Sequence, residues 1–115
     1  MISRKHRFHG HNSLHYLYKN GSALRSQFLT IKYVPNKHRT DSRVAIVISK
    51  KVLKSAVGRN RIRRRLYEYM RNNIQKLNAT YDIVIICTSS ELKTMPYKDI
   101  SNQIDQLFTK SSLYK

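Results

Sequence analysis

Between residues 43 and 87 the apolar residues change their spacing, and that change limits the chain to a small set of folds. Arg43-Val44-Ala45-Ile46-Val47-Ile48-Ser49 is a β-branched run of strand type. From Gly58 to Leu77 the period shifts to about 3.6, with Ile62, Leu66, Tyr69, Met70 and Leu77 within one face of a helical wheel. Asp82–Cys87 follows as an apolar run of Ile and Val, the pattern of a strand covered on both faces. A strand, a long helix and a central strand therefore form the middle of the chain, and a helix of this kind must cover a sheet.

The flanking segments complete an α/β sandwich. Asn12 to Lys19 is a short helix with Leu14, Leu17 and Tyr18 on one side, Asn12 as N-cap and Gly21 as stop. Residues 26–34 form a strand rich in β-branched and aromatic types, and the polar stretch 35–42 suits a hairpin loop that pairs it antiparallel with 43–49. A last helix runs from about Pro96 to Lys110 on the stripe Ile100, Ile104, Leu107 and Phe108. No repeat or long linker divides the 115 residues, so one domain spans 1–115, with a flexible basic N-terminus over 1–11.

Charge decides the class of partner. The chain carries 23 Lys and Arg against 6 Asp and Glu, a formal net charge of +17. Residues 1–43 hold nine bases and one acid, residues 50–71 nine bases and one acid, and residues 72–115 five bases against four acids. Two stretches thus supply nearly all of the field, and such surfaces draw polyanions by counterion release. A lone Cys87 forms no intramolecular disulfide, no apolar run is long enough to span a membrane, and the N-terminal basic residues lack a following apolar stretch. A cytoplasmic nucleic-acid-binding protein is expected.

The basic helix is the most particular feature. In Ser49-Lys50-Lys51-Val52-Leu53-Lys54-Ser55-Ala56-Val57-Gly58-Arg59-Asn60-Arg61-Ile62-Arg63-Arg64, burial of Ile62 and Leu66 turns Arg63, Tyr67 and Arg71 outward at i+4 spacing, with Arg64 beside them. Such a rail can track phosphates, and arginine forks can take a phosphate with two bonds or stack on a base. A helix start at Gly58 places Arg59 and Asn60 in the first turn, where free N–H groups favour anions. The six acids at 41, 68, 82, 91, 99 and 105 form no cluster by sequence, against a protein-borne two-metal nuclease site. His9, His11 and His15 lack a nearby Cys or carboxylate to complete a zinc set. A strand precedes the basic helix where a helix-turn-helix DNA reader needs another helix. A ribosomal or other structural RNA-binding protein fits the same composition.

The run Ser49-Lys50-Lys51, Ala56-Val57 and Arg59-Asn60-Arg61-Ile62-Arg63-Arg64 resembles the signature of the bacterial ribonuclease P protein subunit. The resemblance extends from Arg7-Phe8 and Tyr18-Lys19-Asn20-Gly21 to Ser111-Ser112-Leu113-Tyr114. It implies a two-layer α+β sandwich in the order α-β-β-β-α-β-α, with about four strands and a left-handed β-α-β crossover. It also implies a division of labour. A catalytic RNA removes the 5′ leader of precursor tRNA with magnesium ions held mainly by RNA. The protein binds that RNA and the leader and supplies no catalytic residue or metal ligand.

Carried onto this chain, the resemblance places Arg59, Asn60, Arg61, Arg63 and Arg64 toward the catalytic RNA and cleavage-site region, extended by Lys50 and Lys51. Tyr67 and Arg71 continue that helix, Tyr67 standing where an Arg is usual, and Ala45 stands where Gly is usual. A leader groove between the first helix and the open sheet face takes Leu14, Tyr18 and Ile31. Leu14 and Ile31 stand where the family often has Phe and Tyr. No membrane contact and no protein oligomer is implied.

Overall fold

The computed structural model describes residues 4–7 and 11–115, the side chains of 4 and 11–13 excepted. Its elements are α1 (His11–Asn20), β1 (Ser22–Arg25), β2 (Leu29–Pro35), β3 (Arg43–Ile48), α2 (Ala56–Asn73), β4 (Tyr81–Cys87) and α3 (Tyr97–Lys110). The architecture is α+β, a four-stranded mixed sheet in the order β1-β2-β4-β3 with three helices.

The apolar strand takes the centre. β4 pairs antiparallel with β2 and parallel with β3, so the hairpin expected between residues 26–34 and 43–49 does not form. A strand buried on both faces needs a neighbour on each edge to satisfy its backbone, and β4 obtains both by inserting between β2 and β3. The segment expected as one strand over 26–34 begins instead in a turn. The Ser26 hydroxyl accepts from the Phe28 and Leu29 amides at 3.2 and 3.3 Å, and Ser26 N donates to Leu29 O at 2.9 Å. Serine hydroxyls favour such local turns over the ladder. The turn lets β1 fold back antiparallel onto β2.

The core lies between the sheet and the α2–α3 layer. Ile62, Leu66, Tyr69 and Met70 of α2 and Ile100, Ile104 and Phe108 of α3 are fully buried against Leu29, Ile31, Val44, Ile83 and Ile85. Burial of a large apolar side chain stabilises by about 1.5–3 kcal/mol, which makes this layer the main source of stability. On the opposite face α1 lays Leu17, 0% exposed, over Ala45 and Val84. The small side chain at 45 leaves room for the helix.

Two polar clusters tie the ends. Arg43 donates from Nε and Nη2 to the two oxygens of Asp82 at 2.9 and 2.8 Å, and Asn36 Nδ2 donates to Asp82 Oδ2 at 2.8 Å. The Tyr69 hydroxyl donates to Asp105 and lies 2.5 Å from the Tyr114 hydroxyl, which ties the C-terminal segment to α2 and α3. Along the outer edge of β3, Arg7 bridges Val44 and the His6 ring nitrogen Nδ1 lies 2.8 Å from Ser42 O. Of the N-terminal stretch expected to be flexible, residues 1–3 and 8–10 lie outside the described residues, as do the side chains of His9 and His11, and α1 already begins at His11, so Asn12 falls inside the helix instead of capping it.

Candidate RNA-binding surfaces

β3 hands the chain to α2 through a turn in which Ser49 O accepts from Val52 N at 3.1 Å and Leu53 N at 3.3 Å. That turn exposes Lys50 and Lys51, neither of which has a side-chain partner among the described residues. Ser55 then caps α2, its hydroxyl accepting from Gly58 N at 3.1 Å. The helix therefore starts at Ala56, two residues before the expected Gly58. The Arg59 amide already donates to Ser55 O at 3.0 Å and Asn60 falls in the second turn, so neither supplies the free anion-binding N–H group expected of it. A serine four residues ahead of Arg59 was the signal for this start.

The arginines of α2 divide by direction. Arg59 turns back, its Nη1 donating to Leu53 O at 2.9 Å and Lys54 O at 2.7 Å. Arg61 and Arg65 lean toward α3. Arg61 Nε donates to Lys93 O at 2.9 Å, and Arg65 donates to Lys93 O at 2.8 Å and to Met95 O. Burial and the neighbouring Arg61 charge both lower the proton affinity of Arg65. Arg63 Nη1 donates to Asn60 Oδ1 at 2.7 Å on the other flank. Arg64 stands exposed at the crest without a partner among the described residues.

The expected rail of Arg63, Tyr67 and Arg71 is not continuous. Tyr67 is half-buried against the core, and its phenol is pushed up by burial, opposed by the charges of Arg63 and Arg7 and by a bond with the Ile46 backbone. Arg71 is held by Glu68 at 2.7 Å. That arginine draws the Glu68 carboxyl below its usual range. The crest is instead Asn60 and Arg64 with Val57, which is 77% exposed. Together with Arg63 these residues rim an open concavity of about 410 Å³.

The second surface is the sheet face beside α1. Tyr18 is 39% exposed, Lys32 Nζ sits 5.6 Å from its ring centroid, and Lys32 donates to Tyr18 O at 3.2 Å. Partial burial raises the Tyr18 phenol. Leu14 is half-buried on the same side. Ile31 does not line this groove. It is 0% exposed and faces α2, because strand alternation sends Leu29 and Ile31 to the core and Thr30 and Lys32 to the α1 side. Lys32, which sequence reasoning passed over, was recoverable from that same alternation.

Among the described residues no three His, Cys, Asp or Glu side chains come together in a way that could hold a metal ion. No helix among them is long and apolar enough to cross a membrane. Cys87 is buried, and burial pushes its thiol up, which makes it a poor nucleophile.

A mixed sheet crossed by a helix with an arginine crest, and a shorter helix on its other face, define a basic α+β domain. The family model described as Ribonuclease P matches residues 2–112. A ribonuclease P protein component of Clostridioides difficile (strain 630) is 40% identical over 98 residues, covering 84% of this chain and 83% of that protein. One of Fusobacterium nucleatum is 39% identical over 82 residues, covering 68% and 73%. The ribonuclease P protein of Staphylococcus aureus superposes with a TM-score of 0.83 at 23% identity, over 96% of this chain and 98% of that one. The Thermotoga maritima ribonuclease P protein gives 0.76 at 23%, over 88% and 94%. The chain belongs to the ribonuclease P protein component family.

Proposed function

We propose that this chain is the protein subunit of ribonuclease P, binding the catalytic RNA and the 5′ leader of precursor tRNA and assisting magnesium-dependent removal of that leader. The observation that carries the reading is the exposed basic group formed by the turn before α2 and by the crest of that helix. Lys50 and Lys51 in the turn before α2 and Arg64 at its crest have no side-chain partner among the described residues, while Arg59, Arg61 and Arg65 are engaged by backbone carbonyls. Cations left without carboxylates favour phosphates, and the exposed Val57 beside them offers an apolar contact to a ribose or base. Arg59, Asn60, Arg61, Arg63, Tyr67 and Arg71 frame that surface.

The leader groove is the Leu14, Tyr18 and Lys32 side of the sheet face, where a ring and an ammonium lie within one nucleotide's reach of each other. Magnesium, held by RNA, supplies the hydrolytic chemistry, and this chain's residues bind and orient the strands in the cytoplasm. Four of the six acids are engaged, Asp41, Glu68 and Asp82 by a Lys or Arg and Asp105 by the Tyr69 hydroxyl, while Glu91 and Asp99 are exposed.

Reconstitution with the cognate RNA subunit across a magnesium series tests the proposal. The protein restores precursor-tRNA cleavage at low magnesium and cleaves nothing alone. Cleavage by the protein without RNA, or no effect on magnesium requirement or substrate affinity, refutes it. Tyr18→Ala weakens substrates with a leader of several nucleotides and leaves leaderless tRNA unaffected. Equal losses on both assign Tyr18 to folding instead.

A further inference from the structure

α1 divides the open sheet face in two. Leu17 is fully buried at the centre of its footprint, and successive helical residues are rotated by about 100°, so Tyr16 and Tyr18 stand on opposite flanks. The Tyr18 flank is the groove already described. On the Tyr16 flank lies a separate concavity of about 580 Å³, within the range of roughly 300–1,000 Å³ of small-molecule sites.

Its parts have the chemistry of a nucleotide. Tyr16 is 57% exposed, more than any other Tyr or Phe among the described residues, and it lines the concavity together with Val34 and Pro35. Lys37 and His38 form the rim, exposed and without side-chain partners among the described residues. The floor is the Arg43–Asp82 pair, whose carboxylate is engaged by Arg43 and Asn36 and so adds little repulsion toward an anion. Asn36 also fixes the rim, since its Oδ1 accepts from His38 N at 3.0 Å while its Nδ2 is held by Asp82. The loop that carries Lys37 and His38 is thereby tied to the sheet.

We propose that this concavity is a second nucleotide site, on the far side of α1 from the Leu14–Tyr18 groove, that takes one unpaired nucleotide of an RNA strand. The base stacks on Tyr16 against the Val34–Pro35 wall, and its phosphate meets Lys37 and His38. Stacking on an aromatic ring tolerates any base, so the site adds affinity for single-stranded RNA without reading sequence. The inference rests on the RNA-binding reading above.

The test is titration of the intact chain with pentauridylate, followed by amide NMR shifts and by fluorescence anisotropy of a labelled strand. The amides of Val34 and of residues 36–38 shift, and Tyr16→Ala weakens binding by about 5- to 150-fold, the range of one base–aromatic stack. Tyr16→Phe retains the affinity, and Tyr18→Ala leaves the shifts at 36–38 in place. Tyr16 points largely to solvent, so the Ala variant keeps the wild-type Tm. Ribose 5-phosphate reproducing the same shifts at the same concentration overturns the proposal, because charge alone then explains them. Shifts confined to the Tyr18 flank overturn it while leaving the RNA-binding reading intact. Failure of the chain to bind either pentauridylate or the catalytic RNA refutes that broader reading as well.

Discussion

Replacing Arg64 by alanine removes an exposed guanidinium that has no partner among the described residues, whereas the same change at Arg65 removes donors to the carbonyls of Lys93 and Met95. The two neighbours should therefore fail in different assays. If Arg64 neutralises one phosphate of the catalytic RNA, its loss lowers the slope of log K against log salt by about 0.9. Over a fourfold rise from about 50 to 200 mM salt this spares the variant an affinity loss of about 3.5-fold relative to wild type. Stability should stay within about 0.5 kcal/mol, as for a surface change without partners. Arg65→Ala loses charge-assisted bonds worth about 1.5–3 kcal/mol, with the lower end expected because solvent reaches this side chain. A Tm drop of several degrees follows for a domain of this size. The assays are filter binding of protein to the cognate RNA subunit over a salt series and calorimetry of the free protein. An unchanged slope for Arg64→Ala, or a changed slope with an unchanged Tm for Arg65→Ala, refutes the assignment.

Three further outcomes follow from the fold. Asp82→Ala removes the carboxylate that takes two bonds from Arg43 and one from Asn36, and should cost about 3–5 kcal/mol in urea unfolding. Gly21→Ala places a Cβ 2.6 Å from the backbone oxygen of Leu17 and 3.0 Å from that of Tyr33, so it should destabilise by about 1–3 kcal/mol, read as a lower Tm. Burial pushes the Tyr114 phenol up to about 12 from an ordinary 10.0, so the folded state favours the neutral form. That contribution is complete below pH 10 and is lost as pH rises from about 10 to 12. Tyr114→Phe should make the fall of the urea midpoint over that window shallower but not flat, because burial and its bond to Asp105 raise Tyr69 too.

The long periods were legible because each is repeated over many residues. The α2 face of Ile62, Leu66, Tyr69 and Met70 and the α3 stripe of Ile100, Ile104 and Phe108 are buried as the wheel requires, whereas Leu107 is only partly buried and Leu77 lies beyond α2, which ends at Asn73, and bridges Tyr114. Strand partners were not legible. Alternation says which side chains share a face, but the position of β4 between β2 and β3 depends on which strand is apolar on both sides, a comparison across the whole sheet. The break at Ser26–Phe28 was hidden because one serine hydroxyl, rather than Gly or Pro, makes the turn. Ile31 was assigned by its family position alone, and the alternation with Lys32 would have sent it to the core. The basic surface was legible as composition, but not which arginines the fold uses, since their acceptors at Lys93 and Met95 lie some thirty residues away.

That last distinction bears on how the charge acts. Nine Lys and Arg lie between residues 50 and 71, and a count of charges alone would assign them up to nine phosphate contacts. Arg59, Arg61 and Arg65 are fixed by carbonyls, Arg63 by Asn60 and Arg71 by Glu68, which leaves Lys50, Lys51, Lys54 and Arg64 without a side-chain partner among the described residues and, on the proposed function, available to an RNA backbone. The share of the salt slope from this stretch should then lie near four contacts of about 0.9 each rather than nine. Alanine at each of those four should lower the slope singly and additively, since the side chains share no partner. Alanine at Arg59 or Arg61 should act mainly on Tm. A slope that falls equally at all nine positions would mean that RNA displaces the internal bonds, and that the carbonyl-bound arginines are held in reserve for the complex.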